Sequence, residues 1–258
     1  IIKMIPQNTS GFLFDLDGVF TIGNNVVPGA VKVIQKLNKE QIPFRFLTNT
    51  TMKSVSSLTN KLKLLGFDVT ENHFISANFA GVLKLREMGN PSCFLALLPD
   101  AQTDYDEFNQ SENPDVVVIG DLGKSWTFEF MNKLFRMIME SAEILALHKG
   151  KYYQVEHGLQ MDTGAIIAGL EYATGKKATV VGKPEKEFFS LALKYLKMNK
   201  DEVVMIGDDL ENDVGGAQQC GIKAGLVKTG KFRQDVFESS DVKPDFVLES
   251  IGELFLSQ

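Results

Sequence analysis

A chain of 258 residues with 44% apolar and 23% charged side chains has enough material for a substantial buried core, in one large domain or two smaller ones. Its 27 basic and 33 acidic residues give a net charge of -6 with no dense Lys/Arg cluster, which argues against an electrostatic grip on nucleic acid or on an anionic membrane. The two cysteines, Cys93 and Cys220, sit in apolar contexts and read as small buried thiols. No apolar run approaches membrane-spanning length and Pro6 breaks the opening IIKMIPQ too early for a signal peptide, so a cytoplasmic protein is expected.

From the N-terminus, short β-rich runs alternate with helical patterns. The stretch GFLFDLDGVFT, residues 11–21, is an apolar strand run directly against Asp15, Asp17 and a glycine. Next comes AVKVIQKLNKE, with Val31, Ile34 and Leu37 on one helical face, and then the strand run FRFLTN. Thr50 or Thr51 is placed to cap a following helix lined by Met52, Val55, Leu58, Leu62 and Leu65 and stopped at Gly66. This is a βαβα order, so a parallel sheet is expected. The C-terminal part repeats it: KPEKEFFSLALKYLK as a helix with Pro184 in its first turn, then VVMIG, a helix near 212–220, KAGLV and DFVL. Between them, residues 78–178 carry their own strand runs, CFLALL, DVVVIG and EILAL, and their own helices. The expected organisation is a core of residues 1–77 and 179–258 with a second α/β domain, 78–178, inserted into it.

Residues two apart on a strand face one way, so Asp15 and Asp17 are placed to converge on or straddle a single site at a strand end. Two carboxylates about 4 Å apart repel by roughly 4 kcal/mol at an effective dielectric of 20, and a divalent cation is the natural remedy. In an open parallel sheet, ligands bind beyond the carboxyl ends of the strands. Other stretches deliver matching chemistry to such ends. Thr48 and Asn49 offer a hydroxyl and an amide to phosphate oxygens. Lys183, read at a helix start, favours an anion. Asp208, Asp209 and Asp213, in VVMIGDDLENDVGGAQ, supply hard oxygen ligands of the kind magnesium prefers.

The order DLDG, TN, GKP, GDDLEND resembles the four motifs of the haloacid dehalogenase superfamily, in the NagD-like subclass IIA whose large α/β cap follows the second motif. MDTGAIIAGLEYATGKKATVVGKPEKEFF and IGDDLENDVGGAQ with LVKTGK look most like the branch containing phospholysine phosphohistidine inorganic pyrophosphate phosphatase. Animal members of that branch often lack the second aspartate of the first motif. This chain keeps it as Asp17, which weakens any transfer of their substrate.

The resemblance implies a Rossmann-like doubly wound parallel core with an inserted cap, and a Mg²⁺-dependent phosphatase acting on small phosphate monoesters or pyrophosphate. Asp15 would be the nucleophile and Asp17 the acid and base, its backbone carbonyl helping to hold magnesium. Thr48 and Asn49 would hold phosphoryl oxygens, and Lys183 would neutralise phosphate and nucleophile. Asp208 would bind the metal directly, with Asp213 acting through water or by orienting Lys183. In the turn EHGLQMDTGA, Gln160, Met161, Asp162 and Thr163 would select the leaving group, with His157 a further candidate; Ile166, Ile167, Leu170 and Ala173 beyond it read as cap core. A homodimer through the cap is the pairing considered. The rivals are a phosphomutase or dehalogenase on the same fold, or a non-catalytic regulatory protein.

Other patterns are declined. GLVKTGKF matches G-x-x-x-x-G-K from Gly225 to Lys231, but Phe232 stands where a P-loop needs Ser or Thr, and Gly120 lies too close to Gly123 in GDLGKS for a phosphate cradle. Asp100, Asp104, Asp106 and Glu107 lack calcium-loop spacing and read as a solvated loop. The scattered His73, His148 and His157 do not support zinc, and Trp126 reads as a packing residue.

Overall fold

The structure, a computed structural model, describes residues 5–155 and 158–255. In chain order the elements are β1 (Gly11–Phe14), β2 (Thr21–Ile22), β3 (Asn25–Val26), α1 (Ala30–Glu40), β4 (Phe44–Thr48), α2 (Val55–Leu64), β5 (Phe74–Ser76), α3 (Ala77–Glu87), β6 (Cys93–Ala96) and the one-turn helix α4 (Pro99–Gln102). There follow β7 (Val116–Ile119), α5 (Phe128–Glu140), β8 (Glu143–Ala146), β9 (Tyr152–Val155), β10 (Gly158–Met161), α6 (Thr163–Thr174), β11 (Thr179–Val180) and α7 (Lys186–Leu196). The chain closes with β12 (Val203–Gly207), α8 (Gly216–Gln219), β13 (Lys223–Val227), α9 (Gln234–Ser239) and β14 (Phe246–Leu248). It divides into two compact units: residues 1–48, 59–75 and 183–258, and residues 49–58 and 76–182.

The first unit is built on the sheet β14-β13-β12-β1-β4-β5, in which β14 through β4 pair in parallel. All four residues of β1 are buried, as a strand flanked on both sides in a covered parallel sheet requires. Its phenylalanines seed an aromatic core: the Phe14 and Phe20 rings lie 5.1 Å apart, as do those of Phe20 and Phe46. Phe14 stands opposite Ile206 of β12 and Phe46 of β4, so the carboxyl ends of three strands finish side by side. That register decides which residues can meet beyond them.

The second unit has its own parallel sheet, β11-β8-β7-β6, and an antiparallel hairpin of β9 and β10. Val117, Ile119, Leu134, Ile138, Ile144 and Ile167 form the heart of its core, against which Trp126 packs as expected.

The local structure departs from the sequence reading at several points. Ser54, whose Oγ accepts from the Ser57 N–H at 3.2 Å, caps α2, while the Thr51 hydroxyl accepts from the Asp121 N–H at 2.8 Å. The helix α7 begins at Lys186, so Lys183 and Pro184, joined by a cis peptide bond, lie ahead of it. Residues 158–161 form a strand rather than a turn. On α6 the buried stripe runs through Ile167, Leu170 and Glu171, not Ala173, because the Glu171 carboxylate meets Lys149 at 2.6 Å and the Ala178 N–H at 3.0 Å.

Candidate active site

Where β1, β4 and β12 end, the first unit gathers charge. Asp15 directly follows β1, its N–H donating to the Ile206 carbonyl at 2.9 Å, which locks it beside β12. Asp208 directly follows β12, and Asp213 lies in the wide helical turn Leu210–Gly215 beyond it. That turn starts where the Asp209 carboxylate accepts the N–H groups of Glu211 and Asn212, both at 3.0 Å, satisfying donors a helix start leaves open. Asp15, Asp208 and Asp213 are all buried, and a ligand oxygen from each lies within 4.8 Å of the others.

Lys183 enters this group from the turn before α7. Its buried ammonium donates to Asp15 Oδ1 at 2.5 Å, Asp213 Oδ1 at 2.7 Å and the Leu47 carbonyl at 2.8 Å. Asp213 Oδ2 accepts the Asp209 N–H at 3.1 Å, so both its oxygens are engaged within the protein, which suits an orienting role toward Lys183. Burial opposes a charge on Lys183, yet Asp15 and Asp213 together hold its pKa above the ordinary lysine value. Burial pushes Asp15 up from 3.8 to about 7, with Lys183 pulling the other way and Asp213 and Asp17 adding to the rise. Asp208 is raised well above its ordinary value, first by burial and then by Asp15 and Asp213.

Three buried carboxylates thus lie together with one buried ammonium, which pairs with Asp15 and Asp213, and the two negative charges left over match one divalent cation. Lys231, whose Nζ lies 3.2 Å from Asp209 Oδ2, is matched by that aspartate. One atom tests whether the residues fit a cation: Asp208 Oδ1 is buried and meets no hydrogen-bond donor among the described residues. A buried carboxylate oxygen without a donor is costly, and an oxygen-seeking ion is the partner it lacks. The residues fit.

Thr48, the last residue of β4, is buried one residue past Leu47, whose carbonyl holds Lys183. Asp17 is exposed beyond β1, and its carboxylate stands outside the buried trio. Asn49 opens the second unit, to which Gln160, Met161, Asp162 and Thr163 also belong. Gln160 Nε2 donates to the Tyr153 hydroxyl at 2.6 Å, and Met161 is exposed. Asp162 caps α6, its Oδ1 accepting the Thr163 N–H at 2.7 Å, with Oδ2 3.8 Å from His148 Nδ1; Thr163 is buried. His157 lies outside the described residues. Sequence reasoning missed the part played by Thr229, Gly230 and Lys231, whose TGK entered as part of the resemblance and of a failed P-loop but with no role of its own.

Comparison with known proteins matches this frame. A family profile described as haloacid dehalogenase-like hydrolase covers residues 12–109, and one described as HAD-hydrolase-like covers residues 180–254. The chain is 37% identical over 249 residues to human phospholysine phosphohistidine inorganic pyrophosphate phosphatase, covering 94% of this chain and 92% of that protein. The chain belongs to the haloacid dehalogenase superfamily of hydrolases. Among solved structures of the superfamily, a 4-nitrophenylphosphatase from Thermotoga maritima matches with a TM-score of 0.89 at 27% identity, over 96% of each chain. NagD from Escherichia coli K-12 matches with a TM-score of 0.84 at 25% identity, over 95% of this chain and 98% of that one. Phosphatases of the superfamily generally use a divalent metal, and a buried acidic triad is present here.

Proposed function

We propose that this hydrolase is a magnesium-dependent phosphatase of small phosphate monoesters or pyrophosphate, working through an aspartyl-phosphate on Asp15. The observation that carries the reading is the buried Lys183 ammonium clamped between Asp15 and Asp213 beside the donorless Asp208 Oδ1.

With Lys183 on Oδ1, Asp15 has Oδ2 for attack on phosphorus. The P–O bond to the leaving group breaks as the Asp15–phosphorus bond forms, and splitting the reaction this way replaces one difficult displacement by two easier ones. Asp17, exposed two residues on, protonates the departing oxygen and then takes a proton from the water that releases phosphate. Lys183 neutralises the nucleophile and a phosphoryl oxygen, while Thr48 and Asn49 donate to the others. Asp15, the Asp17 carbonyl and Asp208 would hold the cation, with Asp213 keeping Lys183 in place. When bound, the metal supplies the positive charge that lets an anionic carboxylate approach an anionic phosphate. Residues 78–178 are carried as the cap, with Gln160, Met161, Asp162 and Thr163 choosing the leaving group. That assignment rests on the family resemblance, and a cytoplasmic location and pairing through the cap are part of the same proposal.

The test is a panel of pyrophosphate, sugar phosphates, nucleotides and phosphoamino acids, assayed with the wild type and with Asp15→Asn, which keeps the shape and removes the attacking charge. The expected outcome is magnesium-dependent phosphate release by the wild type on at least one substrate, and a fall of at least about 10³-fold in the folded variant. Substantial turnover by folded Asp15→Asn, or full wild-type activity in excess chelator, would contradict the mechanism.

A further inference from the structure

Beyond β13 the chain runs through Thr229, Gly230 and Lys231 across the turn that carries Gly18 and over the Asp208 carboxylate, all within the first unit. Three hydrogen bonds hold it there. The Thr229 hydroxyl donates to the Gly18 carbonyl at 2.5 Å, the Lys231 main-chain N–H donates to Asp208 Oδ2 at 2.7 Å, and Lys231 Nζ reaches Asp209 Oδ2 at 3.2 Å. The approach is close enough to demand glycine twice. Gly18 and Gly230 have φ of +89° and +61°, and a Cβ on either would overlap the Asp208 carboxylate.

An aspartate carboxylate has two equivalent oxygens, and its terminal torsion is broad, so nothing intrinsic to Asp208 decides which oxygen faces a ligand. Here one N–H decides it. With Oδ2 taken by Lys231, Oδ1 is the oxygen left buried without a donor. We propose that residues 229–231 are a positioning strap that fixes the rotation of Asp208 and so presents Oδ1 to the divalent cation, with Thr229 anchoring the strap to the turn that follows Asp17. The inference rests on the metal reading above. It adds to that reading a cause for the orientation of Asp208 and a role for three residues otherwise without one. Residues that orient a metal ligand from behind typically carry 10–100-fold in metal affinity.

The experiment titrates magnesium alone into metal-free protein by calorimetry, with thermal unfolding in chelator alongside. Thr229→Val removes the hydroxyl at nearly constant volume, and Thr229→Ser keeps it. The strap predicts a Kd for magnesium raised by about tenfold or more in Thr229→Val and by no more than about threefold in Thr229→Ser, with metal-free Tm close to the wild type in both. Lys231→Met keeps the main-chain N–H and loses only the ammonium, so it should weaken magnesium binding less than Thr229→Val does. A wild-type Kd in Thr229→Val overturns the strap alone, as does an equal loss in Thr229→Ser or a larger loss in Lys231→Met. A wild-type protein that binds no magnesium overturns the metal reading and the strap together.

Discussion

In the first unit three buried carboxylates, Asp15, Asp208 and Asp213, lie together, and the buried ammonium of Lys183 pairs with Asp15 and Asp213; in the second, the buried Glu171 has Lys149 at 2.6 Å, Lys177 at 3.9 Å and the Ala178 N–H to itself. The consequences run in opposite directions. Burial and mutual repulsion drive Asp15 and Asp208 above their ordinary values, whereas the partners of Glu171 overcome its burial and hold it below the usual glutamate range. A buried charge that is fully partnered needs nothing more and can serve the fold. A cluster with charge left over is stable only because the surrounding structure over-determines it, and it is completed by something from outside. The difference separates a structural ion pair from a binding site more reliably than burial does.

The largest effect is expected at Lys183. Replacing it by Met fills much the same volume but strands Asp15 and Asp213 without a counter-charge, and breaking a buried pair from one side costs about 3–5 kcal/mol. Urea unfolding of metal-free Lys183→Met near pH 8 should show a loss of that order. Because every substrate shares the phosphoryl group, kcat/KM should fall for all of them together. Activity retained on some substrates would break the assignment.

The two clusters also predict opposite pH dependences in metal-free protein. For Asp15 and Asp208 the folded state binds protons more tightly than the unfolded chain, so the contribution of Asp15 to stability declines as pH rises from the ordinary 3.8 through about 7, and that of Asp208 declines as pH rises from 3.8 through its own raised folded value. For Glu171 the folded state binds its proton less tightly. Its contribution is fully present above the ordinary 4.5 and is lost as pH falls through the lowered folded value. Unfolding free energies measured across this range should bend down at both ends, with Glu171→Gln flattening the acid limb. An alkaline limb equally steep in Asp208→Asn and the wild type would dissolve the contrast.

Much of this was legible in the sequence, for local reasons. The run FLFDLD announces a buried strand that stops at charge, and Asp15, Thr48, Lys183 and Asp208 lie beside strand ends or turns that hydrophobic periodicity and glycines mark. The alternation of two on a strand misled at one point: β1 ends at Phe14, so Asp15 and Asp17 lie on the turn beyond it, one buried and the other exposed. The third buried carboxylate is instead Asp213, brought back by a wide turn whose start Asp209 secures through tertiary and local bonds that no spacing rule encodes. The burial of Glu171 in place of Ala173 was hidden for a similar reason, since its partner Lys149 lies 22 residues away in sequence. The role of TGK was hidden because it acts through a main-chain N–H, a group every residue but proline possesses.

The most direct test of the claim that surplus charge marks the cation site is thermal unfolding of wild type, Asp208→Asn and Glu171→Gln, each with chelator and with saturating magnesium. Metal-free Asp208→Asn should unfold at a higher temperature than the metal-free wild type, because one repelling charge is gone, and should gain nothing from magnesium. Glu171→Gln should lose about 1–3 kcal/mol by weakening its bonds, yet gain as much from magnesium as the wild type does. At a hundred times its Kd, magnesium should stabilise the wild type by about 2.7 kcal/mol. Equal stabilisation of Asp208→Asn and wild type by magnesium, or none of the wild type, would contradict the account.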